Sequence, residues 1–375
     1  MSMTRRRARG LRRERILSSP RFIDGEFRNP SGAGPGLEEG STLGVMSEFL
    51  FGSRRRRIPN VPLPSESPIS TWGRPAETGL RATWLGHSTL VLEIDGVRIL
   101  TDPVWSRRVS PSRFFGPKRF QPVPVRIDAL PPIDAVVISH DHYDHLDYAT
   151  ILELRGRDVP FFTPLGVGAH LEAWGVPERR IHELDWWESA ELEGTEFRIT
   201  AAPSQHFSGR ATMDRNHTLW SSFALRGPRH TVFFSGDTGL TDDYRLIADR
   251  LGPFDLVLLE VGAFHPAWGS IHLGPDNALE ALKRLGGGSL LPVHWGTFDL
   301  ALHDWDEPAE RLLSVAPDRG VHLVMPKLGV PVEPSRVDEV SPWWREVSAP
   351  ARELRLDEPE GTSDEAWAIP PRPID

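Results

Sequence analysis

The sequence contains no cysteine. That one absence excludes disulfides, thiolate metal sites and cysteine nucleophiles together, while leaving the redox compartment open. Nor is there any run approaching the roughly 18 uncharged apolar residues that a membrane-spanning helix requires. A GxSxG nucleophile elbow is also missing. Residues 1–15 are rich in arginine, but no apolar stretch follows them, so they read as a solvated basic arm rather than a secretory signal. The expected location is therefore cytoplasmic. Peripheral contact with an anionic membrane surface remains open to the arginine runs at 5–7 and 54–57. A net charge of −9 argues against nucleic acid as the main partner. Oligomeric state is left open, a homodimer being one option. Any metal must be held by nitrogen and oxygen, and 14 histidines are available to do so.

Residues 1–75 hold few periodic apolar segments and much Arg, Gly, Pro and Ser, which predicts an arm and linker. From Leu80 the texture changes. Short strands are expected at 80–85, 90–94 and 97–101, the last two joined by Asp95-Gly96, a strong hairpin signal. The apolar run 135–138 suits a buried strand and leads directly into Ser139-His140. Asp147 is placed to cap a helix running to about Leu154. Further strands are expected at 197–202, 219–225, 231–235, 256–260, 289–293 and 321–324, with helices at 242–251, 275–285 and 306–315. Each of the last three strands follows a helix, whereas the early region is rich in hairpins. This pattern predicts two sheets sandwiched between helices in one α/β domain spanning 76–335. From Arg336 a tail to residue 375 carries ten acids against five bases, with several prolines. It predicts an irregular wrap or a mobile end.

The chemistry concentrates in His140-Asp141-His142-Tyr143-Asp144-His145. Here His140, His142, Asp144 and His145 fall at i, i+2, i+4 and i+5. A turned loop can present the first pair to one point and the second pair to another nearby. Neutral imidazole and carboxylate are good zinc ligands, and two close metals can clamp and cleave an ester. A site at a strand end should draw its other ligands from other strand ends. His206, Asp237 and His294 each follow an expected strand. Singly each has a plain alternative, Asp237 as a turn residue or helix cap for example; together they converge.

The HxHxDH cluster with later His, Asp and His resembles the metallo-β-lactamase superfamily. Several segments within it are similar to the N-acylphosphatidylethanolamine-hydrolysing phospholipase D family. They are Trp84-Leu85-Gly86-His87-Ser88-Thr89, Thr101-Asp102-Pro103, Ser110-Pro111-Ser112, Gly116-Pro117-Lys118-Arg119-Phe120, Leu130-Pro131-Pro132-Ile133-Asp134-Ala135 and His294-Trp295-Gly296-Thr297-Phe298. The resemblance implies an αββα sandwich of two mixed β-sheets flanked by helices. It implies two Zn2+, one held by His140, His142 and His206, the other by Asp144, His145 and His294, with Asp237 bridging. Iron or manganese suits the same nitrogen and oxygen set. His272 in Ile271-His272-Leu273-Gly274-Pro275 matches the family histidine that meets a substrate phosphate oxygen. Asp144, Asp237 and His272 are thus the catalytic candidates. Asp141 is expected to shape the loop, Asp102 to orient a metal-binding histidine, and His87 to line the region.

By the same resemblance the nucleophile is a hydroxide bridging the metals, and the substrate an N-acylphosphatidylethanolamine-like phospholipid or a small phosphodiester. Phe207, Phe264, Trp268 and Phe298 are candidates to line an acyl channel. Two other readings stand beside this one: a lactonase or carboxylic-ester hydrolase acting on a sugar-phosphate-like substrate, and a non-catalytic metal-binding scaffold.

Overall fold

A computed structural model of the chain describes residues 8–34, 57–112, 114–211, 213–265 and 270–348. The arginines at 5–7 and 54–56, Trp268 and the tail beyond 348 lie outside these. The arm carries helix α1 (Gly10–Ser18) and a small hairpin, β1 (Phe22–Ile23) with β2 (Glu26–Phe27). One sheet is built from β3 (Leu80–Gly86), β4 (Thr89–Ile94), β5 (Val97–Thr101), β6 (Ala135–Val137), β7 (Phe161–Pro164) and β8 (Ile181–Leu184). A second is built from β9 (Ser189–Glu191), β10 (Arg198–Ala202), β11 (Ser222–Arg226), β12 (Thr231–Phe234), β13 (Leu256–Glu260) and β14 (Ser289–Val293). Finally β15 (Pro331–Val332) pairs with β3, giving the orders β15-β3-β4-β5-β6-β7-β8 and β14-β13-β12-β11-β10-β9. Among the described residues no helix is long and apolar enough to cross a membrane.

Each sheet combines an antiparallel part with a parallel part. Thus β3, β4 and β5 form a meander, whereas β5 through β8 run parallel. Likewise β9 to β12 alternate, while β12, β13 and β14 run parallel. Helices α2 (Tyr148–Leu154), α3 (Gly168–Ala173), α4 (Asp243–Leu251) and α5 (Gly274–Arg284) make the crossovers. Period-two alternation assigns the faces of the first sheet. Leu90, Leu92, Ile94, Ala135 and Val137 face the inter-sheet core with Phe197, Ile199 and Phe223. Their neighbours Val91, Val136 and Ile138 join Leu146, Ile151 and Leu171 in the outer layer. The result is the αββα sandwich that the sequence led us to expect.

Some expectations shift at element ends. The strand expected at 321–324 reduces to a single bridge between Leu323 and Leu290. The Val321 N–H is already committed to Ala316, and Pro326 ends the extended run, so only one residue pairs. The strand expected at 219–225 begins at Ser222, because Leu219 and Ser221 donate instead to Leu165 and Ser139 of the facing loops. Asp147 precedes α2 but caps none of its N–H groups. Its carboxylate accepts from the Trp105 and Ser106 backbones and the Thr150 hydroxyl. The short strands β7, β8 and β9, the last two of them polar, were not foreseen. Trp343 and Trp344 from the tail are buried against Trp84 and Trp295.

Asp95 ties the two sheets together at the end away from the histidines. Asp95 and Gly96 have φ of 53° and 91°, the left-handed pair that a type I′ turn requires. The Asp95 carboxylate accepts from the Arg229 N–H (2.7 Å) and the His230 N–H (2.9 Å), and lies 2.7 Å from His230 Nδ1. Arg229 and His230 belong to the β11–β12 turn. Burial pushes the Asp95 carboxyl up, but the His230 ring and these N–H groups outweigh it and hold it below the usual range. Its stabilisation is therefore complete above the unfolded carboxyl value near ~4 and is lost as pH falls through the folded value. Asp95→Asn, which keeps a residue tolerant of this φ, should cost about 1–2 kcal/mol at pH 7. In denaturant titrations that gap should narrow as pH falls below the unfolded carboxyl value and close once the folded carboxyl is protonated; a gap independent of pH would contradict the assignment.

Candidate metal centre

The parallel registers bring strand ends together. Leu258 pairs with Phe234, and Glu260 with Val293, so the loops after β12, β13 and β14 leave the same edge. In the other sheet Thr101 pairs with Val137, which sets Asp102 beside Ser139 and His140. The crevice beyond the carboxyl ends of parallel strands is where an open α/β sheet places ligands. The backbone is strained there: His87, Asp102, Ala263 and His294 all have positive φ without being glycine.

All seven expected ligands converge in this crevice, and the HxHxDH loop turns as its spacing suggests. Leu146 and His145 both donate to the His142 carbonyl. Ligand atoms of His140, His142 and His206 lie within 4.8 Å of one another, as do those of His87, Asp144, His145 and His294. Asp237 spans the two groups. Its Oδ2 is 4.0 Å from His140 Nε2 and 3.7 Å from His206 Nε2 on one side. On the other it is 3.3 Å from His145 Nε2 and 3.1 Å from His294 Nε2. Despite this proximity, His145 Nε2, His294 Nε2 and Asp237 Oδ1 have no aligned hydrogen-bond partner and are fully buried. Buried polar atoms aimed at a common point without bonding one another fit metal ions between them.

The surrounding residues orient these groups. Asp102 Oδ2 is 2.7 Å from His145 Nδ1, and the carboxylate also accepts from the Ser139 N–H and hydroxyl. It thus takes the role expected for it, leaving Nε2 of His145 to face the centre. Asp141 accepts from the Gly209 N–H and pairs with His170, holding the loop from outside. His87 lies 3.0 Å from Asp144 and its ring packs on His294. His272 joins a group with His206 and Asp237. Of the proposed channel aromatics, Phe207 packs on His142 and His206, Phe298 on His87, and Phe264 on His303.

Comparison with known proteins agrees with this geometry. Residues 97–295 match the Beta-lactamase superfamily domain. The chain belongs to the metallo-β-lactamase superfamily. It is 47% identical over 331 residues to an uncharacterized protein of Mycobacterium tuberculosis, covering 87% of this chain and 88% of that one. It is 35% identical over 321 residues to N-acyl-phosphatidylethanolamine-hydrolyzing phospholipase D 1 of Caenorhabditis elegans, covering 79% of this chain and 90% of that protein. Within the superfamily the chain thus belongs to the family of that enzyme. In fold it is similar to Igni18, a metallo hydrolase of Ignicoccus hospitalis, with a TM-score of 0.51, 23% identity and coverage of 68% of this chain and 98% of that one. The protein is a metal-dependent hydrolase whose His/Asp cluster is able to bind metal.

Two residues that contact the site were not singled out in the sequence. Glu260 ends the apolar strand Leu256–Glu260 and is fully buried. Both its oxygens lie 3.2 Å from His272 Nδ1, and it accepts from the Leu273 N–H. The signal was present as a carboxylate closing an otherwise apolar strand. Arg210 had no such signal: it reaches back from the loop after His206 to donate to the Asp141 and Leu146 carbonyls.

Burial drives His140 and His206 well below the ordinary histidine value. It also opposes charge on His145 and His294, but there the carboxylates prevail. Asp237, Asp144 and Asp102 hold His145 well above its usual value, and Asp237 with Asp144 raises His294 to about 10. In the metal-free protein these two imidazoles carry protons that neutralise the carboxylates, and a metal must displace them. Apparent metal affinity should therefore rise with pH across the neutral range, up to the His294 value of about 10. Calorimetry in buffers of differing ionisation enthalpy should read net proton release at pH 7. Uptake without release would contradict this electrostatic picture.

Proposed function

We propose that this hydrolase is a phosphodiesterase of phospholipase D type. Its substrate would be an N-acylphosphatidylethanolamine-like phospholipid or a related small diester. His140, His142 and His206 would hold one zinc, Asp144, His145 and His294 the other, and Asp237 would touch both. Two such cations supply a nucleophile from water at neutral pH and draw charge from phosphoryl oxygens. The observation that carries the diester reading is the His272–Glu260 pair beside the cluster. Burial opposes a charged His272, but Glu260 outweighs it and raises the imidazole above its ordinary value. Glu260 engages Nδ1 and leaves Nε2 as the free donor, suited to a non-bridging phosphate oxygen as charge builds there. At the reacting group a diester carries an anionic oxygen in its ground state, whereas the carbonyl of a lactone is neutral even where a sugar phosphate bears charge elsewhere.

The surroundings support a lipid. Phe207 and Phe298 wall the centre with apolar surface. Arg119 bridges by backbone to Phe298 and begins a finger whose tip exposes Phe114 and Phe115, 67% and 78% accessible. Two solvent-exposed aromatics close to Lys118, on a segment bridged to the wall of the site, suit the edge of an anionic bilayer. The C. elegans relative carries the activity in its name.

Zinc-loaded protein should be assayed on a chromogenic diester, on vesicles containing N-acylphosphatidylethanolamine, and on a lactone. Cleavage of the phospholipid to phosphatidic acid and an N-acylethanolamine is expected, abolished by chelator. His272→Ala should lower kcat by roughly 100- to 1,000-fold while metal content is kept. Lactone turnover without diester cleavage would overturn the reading.

A further inference from the structure

The N-terminal arm reaches the metal centre, touching the loop that carries His206 through one backbone carbonyl and one side chain. Asn29 is buried, 7% accessible, with its side chain fully engaged. Its Nδ2 donates to the His206 carbonyl (2.7 Å) and to the Ala33 carbonyl (2.7 Å), while its Oδ1 accepts from Trp220 Nε1 at 3.1 Å. Two residues on, the Ser31 hydroxyl donates to Gln205 Oε1 at 2.6 Å. That bond fixes which way the Gln205 amide faces, and its Nε2 donates to the Ser270 carbonyl at 2.6 Å. Gln205 also receives the Gly239 N–H and donates its own to Thr238, beside Asp237.

These bonds converge on one histidine. The carbonyl of Ile271, next to Ser270, lies 3.1 Å from His206 Nδ1. That contact sets the His206 tautomer and leaves Nε2 for the centre. The loops meet without slack: a Cβ on Gly239 would stand 1.5 Å from the Ser270 carbonyl oxygen. The arm is anchored some distance away. Arg12 pairs with Glu172 and Glu183, and Ile16 and Phe27 are buried with Leu165, Trp186 and Trp220.

We propose that this arm is a clasp on the metal centre, with Asn29 and Ser31 as positioning residues for His206 and, through Gln205, for the His272 loop. The clasp fixes where His206 Nε2 stands relative to His140 and His142, and so how tightly those three hold a metal. It rests on the metal-site reading above and makes no claim about which diester is cleaved.

The test uses the full chain and zinc itself, titrated against a competing chelator, with unfolding of the metal-free protein followed in parallel. Asn29→Ala should weaken one of two zinc affinities by roughly 10- to 100-fold, as loss of an orienting contact does. Ser31→Ala, a change at an exposed residue that spares the fold, should weaken it by roughly threefold, about one neutral hydrogen bond. Arg12→Ala serves as the control for arm anchoring, lowering stability with zinc affinity less affected than in Asn29→Ala. Cobalt-substituted Asn29→Ala should show an altered visible spectrum at one site only. Wild-type affinity at both sites in Asn29→Ala and Ser31→Ala would overturn the clasp while leaving the metal centre standing. Equal losses in Arg12→Ala and Asn29→Ala, in step with stability, would reduce it to packing. A wild-type chain that binds no zinc would overturn both readings.

Discussion

Buried negative charge is the constraint on which this structure depends. Asp102, Asp144, Asp237 and Glu260 meet at one edge of the sandwich, and three of them are almost wholly withdrawn from water. A carboxylate removed from solvent is tolerated only when cations or dense hydrogen bonding meet it. Each carboxylate here faces an imidazole. Asp102 is opposite His145, Glu260 opposite His272, Asp144 and Asp237 opposite His294. The pairings divide into two kinds. Asp102 and Glu260 contact Nδ1 atoms from behind and orient rings, whereas Asp144 and Asp237 point into the same space as the Nε2 atoms. The first kind is satisfied within the protein. The second leaves His145 Nε2, His294 Nε2 and Asp237 Oδ1 buried without aligned partners, a donor set that suits a divalent cation.

The fold serves this arrangement by its mixture of pairings. Hairpins alone would scatter strand ends to both edges, and crossover connections, a long loop before β6 and helices before β13 and β14, bring the ends of parallel strands out at one edge of each sheet. Apolar alternation then clamps the sheets so that their loops face each other across a few ångströms. The same interface is pinned at its opposite end by Asp95. Positive φ at His87, Asp102 and His294 is sustained because the surroundings over-determine it: the His87 N–H is held by Thr297, its carbonyl by Trp84 and by the His294 N–H.

Much of the centre could be read from the chain. Six residues between His140 and His145 directly follow an apolar run, and His206, Asp237 and His294 each follow another. Strand-end position is a local property, so convergence could be anticipated without knowing the topology. The hairpin at Asp95-Gly96 was legible for the same reason. What escaped was tertiary in origin. Strands such as Ile181–Leu184 are short and polar, and take their conformation from neighbours rather than from their own pattern. Glu260 looked like the end of a strand until His272 stood opposite it. Asn29, 177 residues from its partner His206 in sequence, lies in a segment whose composition suggested only a linker. Hydrogen bonds to backbone carbonyls carry no signature in the partner's side chain, so no pairing of residue types could have revealed them.

The assignment of seven ligands to two metals is most directly tested by anomalous diffraction from crystals of zinc-loaded protein at the zinc edge. Two peaks are expected, one among His140, His142 and His206, the other among Asp144, His145 and His294, with Asp237 in contact with both. A single peak, or a second peak coordinated by His87 with Asp237 turned away, would contradict it.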